Sequence, residues 1–252
     1  MIKFFRRIRY DLMEKNKTGK YIKYAFGEII LVVIGILIAL GINNWNEDRK
    51  IKKEERLAIL NLKEDFEQNL TSIEDLIVLT SSEIDAGFKV LEHTGKKFDS
   101  TNKFNLDAML VSIGNHQLYF SQNGFLNDLI NSGKIGIIKN DSLRVFLSSW
   151  GQTTEELYRK EQSALHHITS FIDYIKKNGS WVKIDNLYPQ LELNFPESGF
   201  DTDNKIMLQA IEFENLIDEV INRKAGLRKR QRQVKDLNTE ILRLIRIELE
   251  KK

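Results

Sequence analysis

The chain has 252 residues, 42% of them hydrophobic and 29% charged, with 38 Lys and Arg against 36 Asp and Glu. That length can bury a sizeable core in one or two domains, and the lack of cysteine excludes disulfides, thiolate metal sites and a cysteine nucleophile. Two prolines and 14 glycines argue against a turn-rich β fold and predict long helices.

Residues 1–23 hold eight basic side chains against Asp11 and Glu14, so a chain of net charge +2 divides into a +6 flank and a −4 remainder. Within that flank, Ile2, Phe5, Ile8 and Leu12 recur at helical spacing with arginines between them. This fits a short amphipathic helix in a headgroup layer, and fits equally a basic flank with incidental aromatics.

From Ile29 to Ile42 the chain carries no charge and no strongly polar group. Extended over 24–45, the stretch is 22 residues long, about 33 Å at roughly 1.5 Å per residue, enough for a hydrocarbon core. Tyr21 and Tyr24 on one side and Trp45 on the other stand where interfacial aromatics belong. The reading is a single transmembrane helix, since charged flanks and aromatic ends disfavour a buried core helix. Ala39-Leu40-Gly41 is a passable cleavage site. A leading region of 28 residues that contains Glu28 nevertheless favours a retained signal anchor over a cleaved peptide. Eight Lys and Arg precede the span and six follow it by residue 63, a thin bias for a cytoplasmic N-terminus and a periplasmic body. Inside the span, Glu28, Gly35, Ala39 and Asn43 share one helix face. Small residues let helices approach and an intramembrane carboxylate wants a partner, so this row is the candidate helix–helix contact. The alternative is that Glu28 snorkels to the interface and Gly35 is incidental.

The block Gly27-Glu28-Ile29-Ile30-Leu31-Val32-Val33-Ile34-Gly35-Ile36-Leu37-Ile38-Ala39-Leu40, followed by Ile42-Asn43-Asn44-Trp45-Asn46-Glu47, resembles the N-terminal signature of a family of uncharacterised membrane-anchored proteins from Bacteroidota. Met1-Ile2-Lys3-Phe4-Phe5-Arg6 is similar to that family's usual opening. A further similarity runs from Ser132-Gly133-Lys134-Ile135 through Asn140-Asp141-Ser142-Leu143-Arg144. The resemblance implies an anchor, a helical body and a bacterial envelope setting; the family has no established activity and supplies no catalytic residue.

Beyond the span, residues 46–252 read as a helical extracytoplasmic body. Ile59, Leu62, Phe66, Leu70, Ile73, Ile77, Ile84, Phe88 and Leu91 recur at steps of three and four, with one doubled step of seven, predicting a one-faced helix over about 47–97. A polar stretch, Thr94 to Lys103, ends it. Shorter helices are expected over about 105–178, broken near Gly114 and Gly124, the last capped by Asp141 or Ser142 and ending at Asn178-Gly179. Residues 180–202 hold both prolines and Trp181, Tyr188, Phe195 and Phe200 in an irregular segment, a possible ligand segment. Asp203 then opens a second long helix over about 203–250. The fold class is all-α: one transmembrane helix followed by a long-helix antiparallel bundle or coiled-coil-like body. Aligning Glu47 with Lys252 makes facing residue numbers total about 299 and sets Glu64, Asp65 and Glu67 near Arg232, Arg230 and Lys229.

Candidate chemistry is sparse. Arg228-Lys229-Arg230-Gln231-Arg232 lacks the interleaved aromatics of a single-strand binder and reads as a solvated or ion-paired helix face, with membrane headgroups as a lesser alternative, so no nucleic-acid partner is expected. His93, His116, His166 and His167 fall in neither a His-Glu-x-x-His nor a Glu-x-x-His pattern, and no metal or cofactor is expected. Ser132-Gly133-Lys134 fails the phosphate-loop pattern, because that pattern needs Gly at 128 and Ser or Thr at 135, where Asp128 and Ile135 stand. The pair Gly133 and Gly136 suits instead the end of one helix and the turn into the next. No Gly-x-Ser-x-Gly elbow or Gly-x-Gly-x-x-Gly fingerprint occurs. The expected function is non-enzymatic: a single-pass inner-membrane scaffold or accessory protein binding the bilayer and either a protein partner or its own copies through helices. The alternative is a sensor-like module that takes a ligand at 180–202; a membrane-associated enzyme ranks third.

Overall fold

The computed structural model describes residues 18–95, 104–187 and 193–251, and among them every regular element is helical: the chain is all-α. The segment 2–13, most of the polar stretch before Lys103 and Tyr188 lie outside the described residues. The first helix, α1, spans Thr18–Leu91. It contributes to two compact units, a first that ends at Leu57 and a second, Ala58–Lys252.

In the first unit, α1 carries the apolar run with its side chains outward; Ile29, Leu37 and Ile42 are each about 60% exposed. This helix is long and apolar enough to cross a membrane.

The second unit builds its own core. Helices α2 (Leu106–Gly114), α3 (Gly124–Asn131), α4 (Asp141–Asn178), α5 (Trp181–Asp185) and α6 (Ile211–Glu250) join the end of α1, with short 3₁₀ helices at Lys134–Ile137 and Asn204–Gln209. Helices α1 and α6 run antiparallel, as the pairs Glu74–Lys235, Glu83–Lys224 and Thr80–Gln231 show. Helix α4 is also antiparallel to α6, through Glu156–Arg230 and His167–Glu219.

Facing numbers on α1 and α6 therefore total 307 to 311, about ten more than the expected register. The physical reason is where burial begins. The first stretch beyond Trp45 offers only Ile51 and Leu57 as apolar residues, and the core starts at Ala58 and Ile59. Arg230 accordingly pairs with Glu156 on α4 at 2.6 Å. Asp65 instead lies near the backbone of Phe125 at the start of α3.

Local signals set most of the ends. Asn140, one residue ahead of the expected caps, accepts the Leu143 N–H at 2.9 Å and starts α4. Gly133 adopts φ 70° directly after α3, so the glycine beside Lys134 is a helix stop. The helix expected from Asp203 divides in two. The Asp203 side chain accepts the Lys205 N–H at 2.9 Å and opens a 3₁₀ turn, Asn204 turns inward, and α6 begins only at Ile211. Residues 180–202 contain the short helix α5 before they become irregular.

The core forms two clusters stacked along the body. One centres on Leu62, Phe66, Ile73, Leu147, Trp150 and Ile241, with Phe66 edge-on to Trp150 at 4.9 Å. The other centres on Val90, Leu110, Phe171, Phe213 and Ile217. Between them lies a layer of buried polar side chains.

Candidate functional sites: an exposed apolar span, a buried polar layer and an open cleft

On the first unit, Glu28, Gly35, Ala39 and Asn43 fall within roughly 80° of arc at about 100° per residue. Ala39 and Asn43 are exposed, Glu28 is half-buried, and a Cβ added at Gly35 would meet nothing within 4 Å. A second helix thus has open access to the row. Trp45 is 64% exposed and has the Arg49 guanidinium 5.9 Å from its ring centroid. Helix α1 includes Tyr21 and Tyr24, whose side chains lie outside the description.

In the second unit, the polar layer is anchored by Lys224 on α6. Its ammonium lies 2.7 Å from the Glu83 carboxylate of α1 and donates to the Asn115 carbonyl at 2.8 Å. Both side chains are almost fully buried. Burial pushes Glu83 up and Lys224 down, and each charge partly restores the other. The neighbouring His116 is held down to about 4, first by burial and then by the positive charge of Lys224, so it is neutral at pH 7. One to two turns away Gln231 donates to Thr80 at 3.1 Å, and Arg228 donates to Ser81 at 3.2 Å.

The same layer fastens the extended connector between α2 and α3, residues 115–123. Asn69 of α1 accepts the Gln122 N–H at 2.6 Å and donates to the Gln122 carbonyl at 2.9 Å. Glu161 of α4, wholly buried, accepts the Tyr119 N–H at 2.8 Å. Burial raises the Glu161 carboxyl to about 7, and its second oxygen has no hydrogen-bond partner. The Tyr119 hydroxyl is raised too, by burial and by the nearby Glu161. No sequence motif marks these groups, yet a trace exists. The doubled apolar step from Ile77 to Ile84 skips Thr80, and Val220, Leu227 and Val234 skip Lys224 and Gln231.

The third feature is an open cleft of about 520 Å³ lined by Lys183, Asn186, Glu197, Phe200 and Asp201 among others. Of the aromatic residues expected for ligand binding, Phe200 lines it and is 80% exposed. Trp181 packs against the second core cluster, with the Lys176 ammonium 5.4 Å from its ring. Phe195 is clasped by its backbone to Asn186, whose carboxamide accepts the Phe195 N–H at 3.0 Å and donates to its carbonyl at 3.4 Å.

The histidines are dispersed. His93 stacks on Phe104 at 4.0 Å, His167 meets Glu219 at 3.1 Å, and the His166 and His167 rings stand at 78° to one another. Among the described residues no three His, Asp or Glu side chains converge as metal ligands.

A family described only as of unknown function (DUF6090) matches residues 28–161, more than half of the chain. The match takes in most of the apolar block from Glu28 and the later segment 132–144, and it reaches Glu161 of the polar layer. No curated protein and no solved structure matches the chain.

Proposed function

The chain belongs to this family of unknown function (DUF6090), and from that premise we propose that it is a single-pass envelope protein of a bacterium, in keeping with the Bacteroidota resemblance of its opening block. It acts without catalysis as a scaffold or accessory subunit. The N-terminus lies in the cytoplasm, residues 24–45 span the inner membrane as a retained anchor, and the helical body occupies the periplasm. One observation carries this reading: 14 consecutive residues, Ile29 to Ile42, are all exposed on a helix, and none of them joins a core among the described residues. In water that surface would be an aggregation site; in a bilayer it is solvated. A reporter active only outside the cytoplasm, fused after Lys252 of the full chain, tests the orientation. Activity is expected, and a stable but inactive fusion would overturn the periplasmic placement. The open row Glu28, Gly35, Ala39 and Asn43 supports a helix partner, either another membrane protein or a second copy. Gly35→Leu should lower the mass of the complex measured in mild detergent; an unchanged mass would refute the contact.

The cleft beside Phe200 favours a second reading, a sensor-like ligand-binding module. Its lysine, amide and two carboxylates suit a small polar ligand. A ligand that binds there should raise the melting temperature of the wild type and leave that of Lys183→Ala unchanged.

A further inference from the structure

Directly after the apolar run, α1 carries Trp45, Arg49, Lys52, Lys53 and Arg56 at steps of four, three, one and three residues. At about 100° per residue these fall within roughly 100° of arc. The acidic residues of the same stretch lie elsewhere: Glu47 and Glu54 on the far side, Asp48 and Glu55 along one flank. Arg49, Lys52 and Lys53 are exposed, and none of the three has a carboxylate within ion-pair distance among the described residues. Lys50 lies off the stripe, about 60° beyond its edge and toward Glu47 and Glu54. Trp45 stands at the boundary and Arg49 lies over its ring at 5.9 Å. From Trp45 to Lys53 the helix rises about 12 Å. The polar layer on each side of a bilayer is on the order of 5–7 Å deep, and long basic side chains reach back toward it by several more.

We infer that this stripe is a docking surface for anionic lipid headgroups in the leaflet on the body side of the span, with Arg49, Lys52 and Lys53 as its phosphate-binding groups. The inference rests on the membrane-spanning reading above. Three cations without carboxylate partners, on one face next to an exposed apolar helix, match the charge and position of phosphodiester headgroups. An acidic protein segment would not need the stripe to abut the span.

The full-length protein, reconstituted in phosphatidylcholine bilayers, would be probed with spin-labelled phosphatidylglycerol and spin-labelled phosphatidylcholine. The fraction of each label immobilised at the protein gives their relative association. The wild type should favour phosphatidylglycerol by roughly two- to fivefold, a preference that falls at high salt. Arg49→Gln/Lys52→Gln/Lys53→Gln should lose most of it, while Lys50→Gln keeps it. Because the basic flank 1–23 can also attract anionic lipid, the triple variant is decisive: if it retains the wild-type ratio, the headgroup site is refuted. Equal association of both lipids with the wild type refutes it as well. If neither label is immobilised, the spanning reading itself fails, and the two failures are thereby told apart.

Discussion

Removing the Lys224 ammonium while keeping its apolar stem, as in Lys224→Met, strands the Glu83 carboxylate and the Asn115 carbonyl inside the body. Both partners of the pair are under 5% exposed and stand 2.7 Å apart, so neither can turn to water. Breaking a buried pair from one side costs about 3–5 kcal/mol. The orphaned carbonyl adds roughly 1 kcal/mol. For a domain of this size, with each kcal/mol worth about 2–4 °C, the melting temperature should fall on the order of 10 °C. Lys224→Met/Glu83→Leu removes both charges and leaves apolar groups of similar volume between two existing apolar clusters, so most of the loss should return, to within about 1–2 kcal/mol of the wild type. Thermal and urea unfolding of the full chain in detergent, for wild type, both single variants and the double, complete the cycle. If the double variant falls as far as Lys224→Met alone, the cost is not that of an unpaired charge and the reasoning fails.

The remaining predictions concern pH and packing. Glu161 titrates near 7 when folded against 4.5 as a free side chain, so the folded state holds the extra proton and stability falls as pH rises from about 4.5 through 7. His116 acts in the opposite sense: its folded value of about 4 against 6.5 means stability is lost as pH falls through 6.5 toward 4. Glu161→Gln, which keeps an acceptor for the Tyr119 N–H, should therefore be more stable than wild type at pH 8, by up to about 3 kcal/mol. It should also show a steeper acid loss below pH 6.5; parallel pH–stability curves would refute this. A Cβ at Gly87 would stand 2.6 Å from Cγ1 of Ile221, so Gly87→Val should destabilise by about 1–3 kcal/mol, with partial recovery on adding Ile221→Ala in the same melts. Asn204, buried, accepts the Ser180 N–H at 2.7 Å and donates to Asp107 at 2.6 Å and to the Ser180 carbonyl at 3.2 Å. Asn204→Ala should cost about 2–4 kcal/mol and speed proteolysis near residues 180–202, an effect absent for the exposed Asn222→Ala.

The sequence makes the helices legible because their information is periodic. Ile59, Leu62, Phe66 and Ile73 draw the buried face of α1 without outside help, and a body whose two prolines both fall within residues 180–202 leaves few competing structures for the long helices. The register between α1 and α6 was less accessible. It depends on where burial starts, at Ala58, and on partners far apart in sequence such as Glu83 and Lys224. The polar layer was visible only as missing apolar steps at Thr80, Lys224 and Gln231, since nothing local shows that a lysine at such a position turns inward. The division of the expected last helix at Ala210 has the same origin: Asn204 is captured by Ser180 and Asp107, which lie 24 and 97 residues away in the chain. In the apolar run of α1 the outward-facing side chains follow from composition alone.

The connector 115–123 has a consequence for how the body comes apart. Asn69, Glu161 and Lys224 belong to three different long helices, and each holds a different point of the same nine-residue strip. No one long helix can peel away without tearing the strip from at least one of the others, so opening any pair costs nearly as much as opening all three. The amide protons of Tyr119 and Gln122, in a stretch with no helix of its own, should then exchange with solvent as slowly as those at the centres of the long helices. Heat should melt the body in one cooperative step. An irregular strip thus acts as the lock of a helical bundle, and a protease that cut within it would convert one cooperative body into helices that unfold piecemeal.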